Sequence, residues 1–200
     1  MTVIIGGGAI GEALRARSRA IVINSKNFEQ IAKDLVEIYN STEIENIIVT
    51  SGFLEKHNIG DFDPETIQKT VDANFIIPML VANFSVANFP TTNLVFFSSS
   101  VVFEAREGYS AYSASKTGLE IFLRTLAVEH SLIELKIIRN SRTDTKLRWN
   151  NYKHNEKTEA NLLTPDEVAK ATLEFMQEDG IVMEVYKRNE ILRSEIWKTI

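Results

Sequence analysis

Short apolar runs alternate with longer amphipathic stretches along this chain. The runs are rich in Val, Ile, Leu and Phe and are too short for buried helices. They predict strands near 2–6, 20–24, 46–50, 93–98, 134–139 and 181–185. Helical periodicity fills the intervals and predicts helices near 9–17, 28–40, 64–88, 110–131 and 165–178. Asp63-Pro64 and Thr164-Pro165 each carry a capping side chain followed by proline at the first helical position. Pro78 is expected to bend the 64–88 helix or interrupt its bonding. Such alternation predicts one α/β domain over residues 1–200, a doubly wound parallel sheet of about six strands with helices on both faces.

Composition changes this picture little. The chain has 200 residues, 44% of them hydrophobic and 24% charged, as expected for one soluble globular domain. A net charge of −5 argues against a nucleic-acid or anionic-membrane surface. Phe75–Val81, the most apolar stretch, is too short to cross a bilayer. No signal-type segment is apparent, and cysteine is absent, which suits the cytoplasm. His57, His130 and His154 are dispersed, so no metal site is expected.

Three motifs carry chemistry. Gly6-x-Gly8-x-x-Gly11 follows the first strand and opens the first helix. Glycines there permit a tight turn and close approach of a pyrophosphate to backbone N–H groups at a helix N-terminus. Gly6, Gly8, Ile10 and Gly11 are therefore candidates for cofactor binding in a Rossmann-like domain. Tyr112 and Lys116 lie four residues apart in a helical stretch, hence on one face. A cation beside a phenol lowers its pKa, which would make Tyr112 a general acid or base. An amphipathic helix can also place this pair on its solvated side, so the spacing alone decides nothing. Ser99 lies thirteen residues before Tyr112, in a serine triplet ending the fourth predicted strand. Ligands bind at that edge of open α/β sheets. Ser98 and Ser100 read as strand punctuation.

Together these segments resemble the short-chain dehydrogenase/reductase family, nearly end to end. The resemblance implies hydride transfer between NADP or NAD and a carbonyl or alcohol. It implies Tyr112 as the proton donor, Ser99 on the reacting oxygen, and Lys116 on the phenol and the cofactor ribose. Asn74, in Val71-Asp-Ala-Asn74, is the implied fourth member, holding a relay water. Val49-Thr-Ser-Gly52 stands where the family has NNAG, which makes Ser51 and Gly52 cofactor candidates, and Thr145 matches a threonine that contacts the nicotinamide carboxamide. Association through the helices of Asn74 and Tyr112, as a homodimer or homotetramer, is also implied.

The chain departs from the family in three places. Its glycine loop is one residue shorter. Asn140-Ser141 replaces Pro-Gly. One strand–helix unit after the second strand is expected to be missing, which leaves the adenine side more open. At the end of the second strand, Asn24-Ser25-Lys26 contains no carboxylate. A serine and a lysine there, with Arg15 and Arg17 nearby, suit a 2′-phosphate and favour NADP, although these cations also read as merely exposed. Residues 140–163 are expected to form a substrate flap, and the Lys187–Ile200 tail to dock its apolar side. Two other readings remain: a non-catalytic dinucleotide sensor, and a sugar-nucleotide epimerase or dehydratase.

Overall fold

The computed structural model describes residues 1–149, 161–188 and 191–197. Parallel strands β1 (Thr2–Ile5), β2 (Ile21–Ile23), β3 (Asn46–Val49), β4 (Asn93–Ser99), β5 (Leu135–Asn140) and β6 (Val182–Arg188) form a sheet ordered β2-β1-β3-β4-β5-β6. A seventh strand, β7 (Ile191–Trp197), adds antiparallel to β6, one strand more than expected. Its charges hide it in the sequence. They belong on a solvated edge, where Tyr186 donates to Glu195 at 2.7 Å.

Strand alternation builds two cores. Val3, Ile5, Ile47, Val49, Leu94, Phe96 and Ile137 face α2 (Phe28–Ser41), α4 (Ile77–Asn88) and α5 (Ser110–Glu129). Ile4, Ile48, Val95, Phe97 and Ile138 face α1 (Ala9–Ser18) and α7 (Pro165–Phe175), which follows the short α6 (Lys146–Trp149). Burial on both faces explains why these strands read as continuous apolar runs. Asp63 and Thr164 both cap as expected; Thr164 and Glu167 form a full capping box.

The predicted 64–88 helix is three pieces. α3 (Pro64–Val71) passes through a π-helical turn, Asp72–Ile76, into α4. Pro78 has no N–H to offer the Asn74 carbonyl, and Ile77 N–H reaches back five residues to the Asp72 carbonyl. An 18-residue stretch within Pro64–Asn88 has a mean hydropathy of 1.4, so the helix passes for a membrane span by length and composition alone. Its buried Thr66, Thr70, Asn74 and Ser85, and its packing on α2 and α5, make it a layer of this domain.

The connection from β2 through α2 to β3 is direct, so the expected strand–helix unit is indeed missing and β2 is the sheet edge.

Candidate functional site

At the carboxyl ends of β1, β3, β4 and β5 the loops part around a cleft of about 540 Å³. The glycine loop forms one end. Gly6 has φ +118°, open to glycine but strained for other residues. A Cβ at Gly11 would sit 2.2 Å from the Gly6 carbonyl oxygen, so the shortened loop closes directly against the start of α1. Gly8, the N-cap of α1, has open space where a Cβ would be and no side-chain cap. Gly8, Ile10, Gly11, Ser51 and Gly52 all line the cleft. The buried Ser51 hydroxyl has no hydrogen-bond partner.

At the other end, α5 lowers Tyr112 and Lys116 onto the end of β4. Their four-residue spacing puts both on its inner face, 9% and 3% exposed. Ser99 ends β4, close enough to the Tyr112 phenol for its hydroxyl to act on it, and accepts a hydrogen bond from Val101 N–H at 3.4 Å. Lys116 donates to the Phe97 carbonyl at 2.8 Å. Ser99, Tyr112 and Lys116 thus share one cleft with the glycine loop.

The electrostatics differ from expectation. Burial pushes the Tyr112 phenol above its ordinary value, opposed by the Ser99 hydroxyl and the Arg106 charge. Lys116 does not pull it toward neutrality. Burial lowers Lys116 itself to about 8, against the pull of Glu120. Desolvation outweighs the i, i+4 pairing from which a lowered phenol was expected.

Asn74 is also placed differently from expectation. It is fully buried, outside the cleft lining, with its amide donating to the carbonyls of Phe53 at 2.6 Å and Thr70 at 2.8 Å. Its Oδ1 accepts from Phe53 N–H at 3.3 Å. The side chain fastens the loop after β3; Gly52 passes so close that a Cβ there would lie 3.2 Å from Oδ1.

Asn24, Ser25 and Lys26 do not line the cleft. Asn24 abuts Gly7, Ser25 bonds within its own turn to Asn27, and Lys26 is exposed. Arg17 holds Asp166 through two 2.6 Å hydrogen bonds and Arg15 holds Glu12, so both belong to surface ion pairs rather than to a 2′-phosphate. Thr145 does line the cleft. At Asn140-Ser141, which replaces the family's Pro-Gly, Asn140 donates to Thr143 Oγ1 at 2.9 Å, and Thr143 donates to the Ser141 carbonyl at 3.1 Å. The Thr143–Leu163 bridge closes the base of the expected flap; its residues 150–160, including Tyr152, Lys153 and His154, lie outside the described residues. Among the described residues no cluster of His, Asp or Glu could hold a metal.

Sequence reading missed an ion pair beneath the site. Glu120, 3% exposed, takes two hydrogen bonds from Arg139, 4% exposed, at 2.8 and 2.5 Å, and one from Ser98 at 2.6 Å. Ser98 is therefore no mere strand punctuation. The signals were available: Glu120 extends the i, i+4 face of Tyr112 and Lys116, and Ser98 pairs in register with Arg139 on neighbouring strands. Arg106 and Arg148 in the cleft lining had no such pattern.

Residues 9–156 match the family model described as short chain dehydrogenase. No curated protein matches. Among solved structures, an alcohol dehydrogenase from the archaeon Thermococcus sibiricus, complexed with 5-hydroxy-NADP, is 14% identical with a TM-score of 0.79, covering 94% of this chain and 97% of its own. A short chain dehydrogenase family protein from Francisella tularensis is 18% identical, with a TM-score of 0.75 and coverage of 92% and 96%. The ligand-free aldohexose dehydrogenase of Thermoplasma acidophilum is 16% identical, with a TM-score of 0.78 and coverage of 92% and 91%.

Proposed function

Because the chain belongs to the short chain dehydrogenase family, we propose that it is an NAD(P)-dependent oxidoreductase acting on a small carbonyl or alcohol, with Tyr112 as its acid or base. The observation that carries this reading is that Ser99, Tyr112 and Lys116 line the same cleft as the glycine loop.

The residues fit a dinucleotide. The open Gly8 position, the uncapped start of α1 and the unpartnered Ser51 hydroxyl together offer a cradle of donors for a pyrophosphate and ribose. Ile10, Gly11, Gly52 and Thr145 complete its wall, and Gly6 makes the turn behind it. Bound there, the nicotinamide would supply or accept the hydride. The chain's own residues would handle the proton. In the reducing direction Tyr112, kept protonated by burial, donates to the substrate oxygen as negative charge develops. Ser99 orients that oxygen, and the Ser99 hydroxyl and Arg106 charge stabilise the resulting phenolate. Lys116, held by the Phe97 carbonyl, would reach the ribose. Asn74 acts by holding the loop of Ser51 and Gly52 in place. NADP is favoured over NAD: fold neighbours include structures with NADP or NADPH bound, and no carboxylate stands at the end of β2. Asn24, Ser25 and Lys26 would meet the 2′-phosphate from the rim. A cytoplasmic homodimer or homotetramer completes the reading.

The test is NADPH and NADH binding by fluorescence, followed by a carbonyl panel with wild type and Tyr112→Phe. Oxidation of NADPH that falls about 10²–10⁴-fold in Tyr112→Phe, with binding retained, is the expected result. Binding without turnover would point to a sensor; product without net cofactor oxidation would point to an epimerase.

A further inference from the structure

One wall of the cleft is unlike the rest. Leu54, Val101, Tyr109, Tyr112 and Leu147 form an apolar cluster separate from both main cores, and the glycine loop contributes nothing to it. The Tyr109 and Tyr112 rings meet edge to face at 6.1 Å. This cluster surrounds the phenol, so it is the surface that the body of a substrate meets. Arg106 also lines the cleft, on the loop that leads into α5, close enough for its charge to act on the Tyr112 phenol.

Arg106 is held but not saturated. Glu104 receives its Nε–H and one terminal amino group on a single carboxylate oxygen. A guanidinium has five N–H donors, so this clamp orients the fork and leaves donors over. Glu104 itself is more than half exposed, so water screens much of its charge. The described cleft lining contains Arg106, Lys116, Arg142, Lys146 and Arg148 against one acid, Glu12, which is already paired with Arg15. Arg142 stands on the loop after β5 and Lys146 at the start of the short helix Lys146–Trp149, both apart from the loop of Arg106.

We propose that Arg106 is a specificity residue, and that the substrate is an oxo acid or hydroxy acid: an apolar body carrying the reacting carbonyl or alcohol and a carboxylate that Arg106 binds. This rests on the oxidoreductase reading above. A carboxylate matches the planar fork, and the apolar wall suits a hydrocarbon or aromatic body better than a polyhydroxylated sugar. Reaction chemistry is unchanged: the carbonyl carbon gains hydride from the reduced nicotinamide, the oxygen gains the Tyr112 proton, and the carboxylate stays intact.

The experiment compares 2-, 3-, 4- and 5-oxo acids of six to ten carbons with their methyl esters, using NADPH, in wild type, Arg106→Gln and Arg106→Lys. At least one acid should exceed its ester in kcat/KM by about 30-fold, the size of one charge-assisted hydrogen-bonded pair. That ratio should collapse toward one in Arg106→Gln, through KM of the acid, and recover in part in Arg106→Lys. Circular dichroism melting checks that the variants are folded; if Arg106→Gln fails this check, Arg106→Lys and the wild-type ratio decide. Esters used as well as acids, a ratio unmoved by Arg106→Gln, or NADPH binding with no acid turned over would each overturn the inference. Failure to bind NADPH or NADH at all would instead overturn the reading beneath it.

Discussion

The two ends of the cleft differ in how much protein surrounds them. At the Tyr112 end, β4, β5 and α5 converge, and Ser98, Lys116, Glu120 and Arg139 are all less than a tenth exposed. At the other end the sheet stops at β2, three residues long, and Asn24 and Lys26 stand in solvent. Buried polar groups interact strongly because water does not screen them, and they cost heavily when orphaned. Exposed ones contribute little of either. The same kind of substitution should therefore have very different consequences at the two ends.

The largest effect is expected beneath the site. Glu120→Ala leaves Arg139 charged and buried, and should lower stability by about 3–5 kcal/mol in urea unfolding. A loss under 1 kcal/mol would mean that water reaches this pair and that the contrast is overstated. Ser99→Ala removes the hydroxyl beside the phenol and should reduce kcat by about 10²–10³-fold while NADPH binding persists, to be checked by single-turnover and titration measurements. Next comes a pH effect. Lys116 is lowered from 10.5 to about 8, so the folded chain binds fewer protons than the unfolded chain between these values. Stability should therefore rise with pH across about 8 to 10.5, where the lysine sheds its buried charge, by an amount on the order of 3 kcal/mol. Lys116→Met should lack this rise; parallel curves for the two chains would contradict it. The smallest effect belongs to the open end. Lys26→Ala should raise the KM for NADPH about two- to fivefold and leave that for NADH nearly unmoved. A hundredfold change there would erase the asymmetry.

Much of this was legible because periodicity is local. The parallel strands, the capped starts of α3 and α7, and the missing unit after β2 follow from patterns within a few residues. The glycine loop and the i, i+4 relation of Tyr112 and Lys116 were legible for the same reason. β7 was not, because an edge strand keeps charges that disguise its alternation. The π-turn at Asp72–Ile76 was half legible: Pro78 announced a break, but not that Asn74 would turn away from the cleft and hold Phe53. Arg15 and Arg17 misled because their partners cannot be read beside them, Asp166 lying 149 residues from Arg17.

The sequence by itself determined the order of strands and helices, the cradle at residues 6–11, and the placing of residues 112, 116 and 120 along one helical face. Those depend on backbone sterics and fixed repeats that act over one or two turns. Tertiary structure alone decided that burial raises the Tyr112 phenol and lowers Lys116, that Ser98 holds Glu120 while Ser99 acts on Tyr112, and that Arg106 stands beside the phenol. Those depend on which groups water can reach, and solvent access is a property of the assembled layers rather than of any stretch of chain.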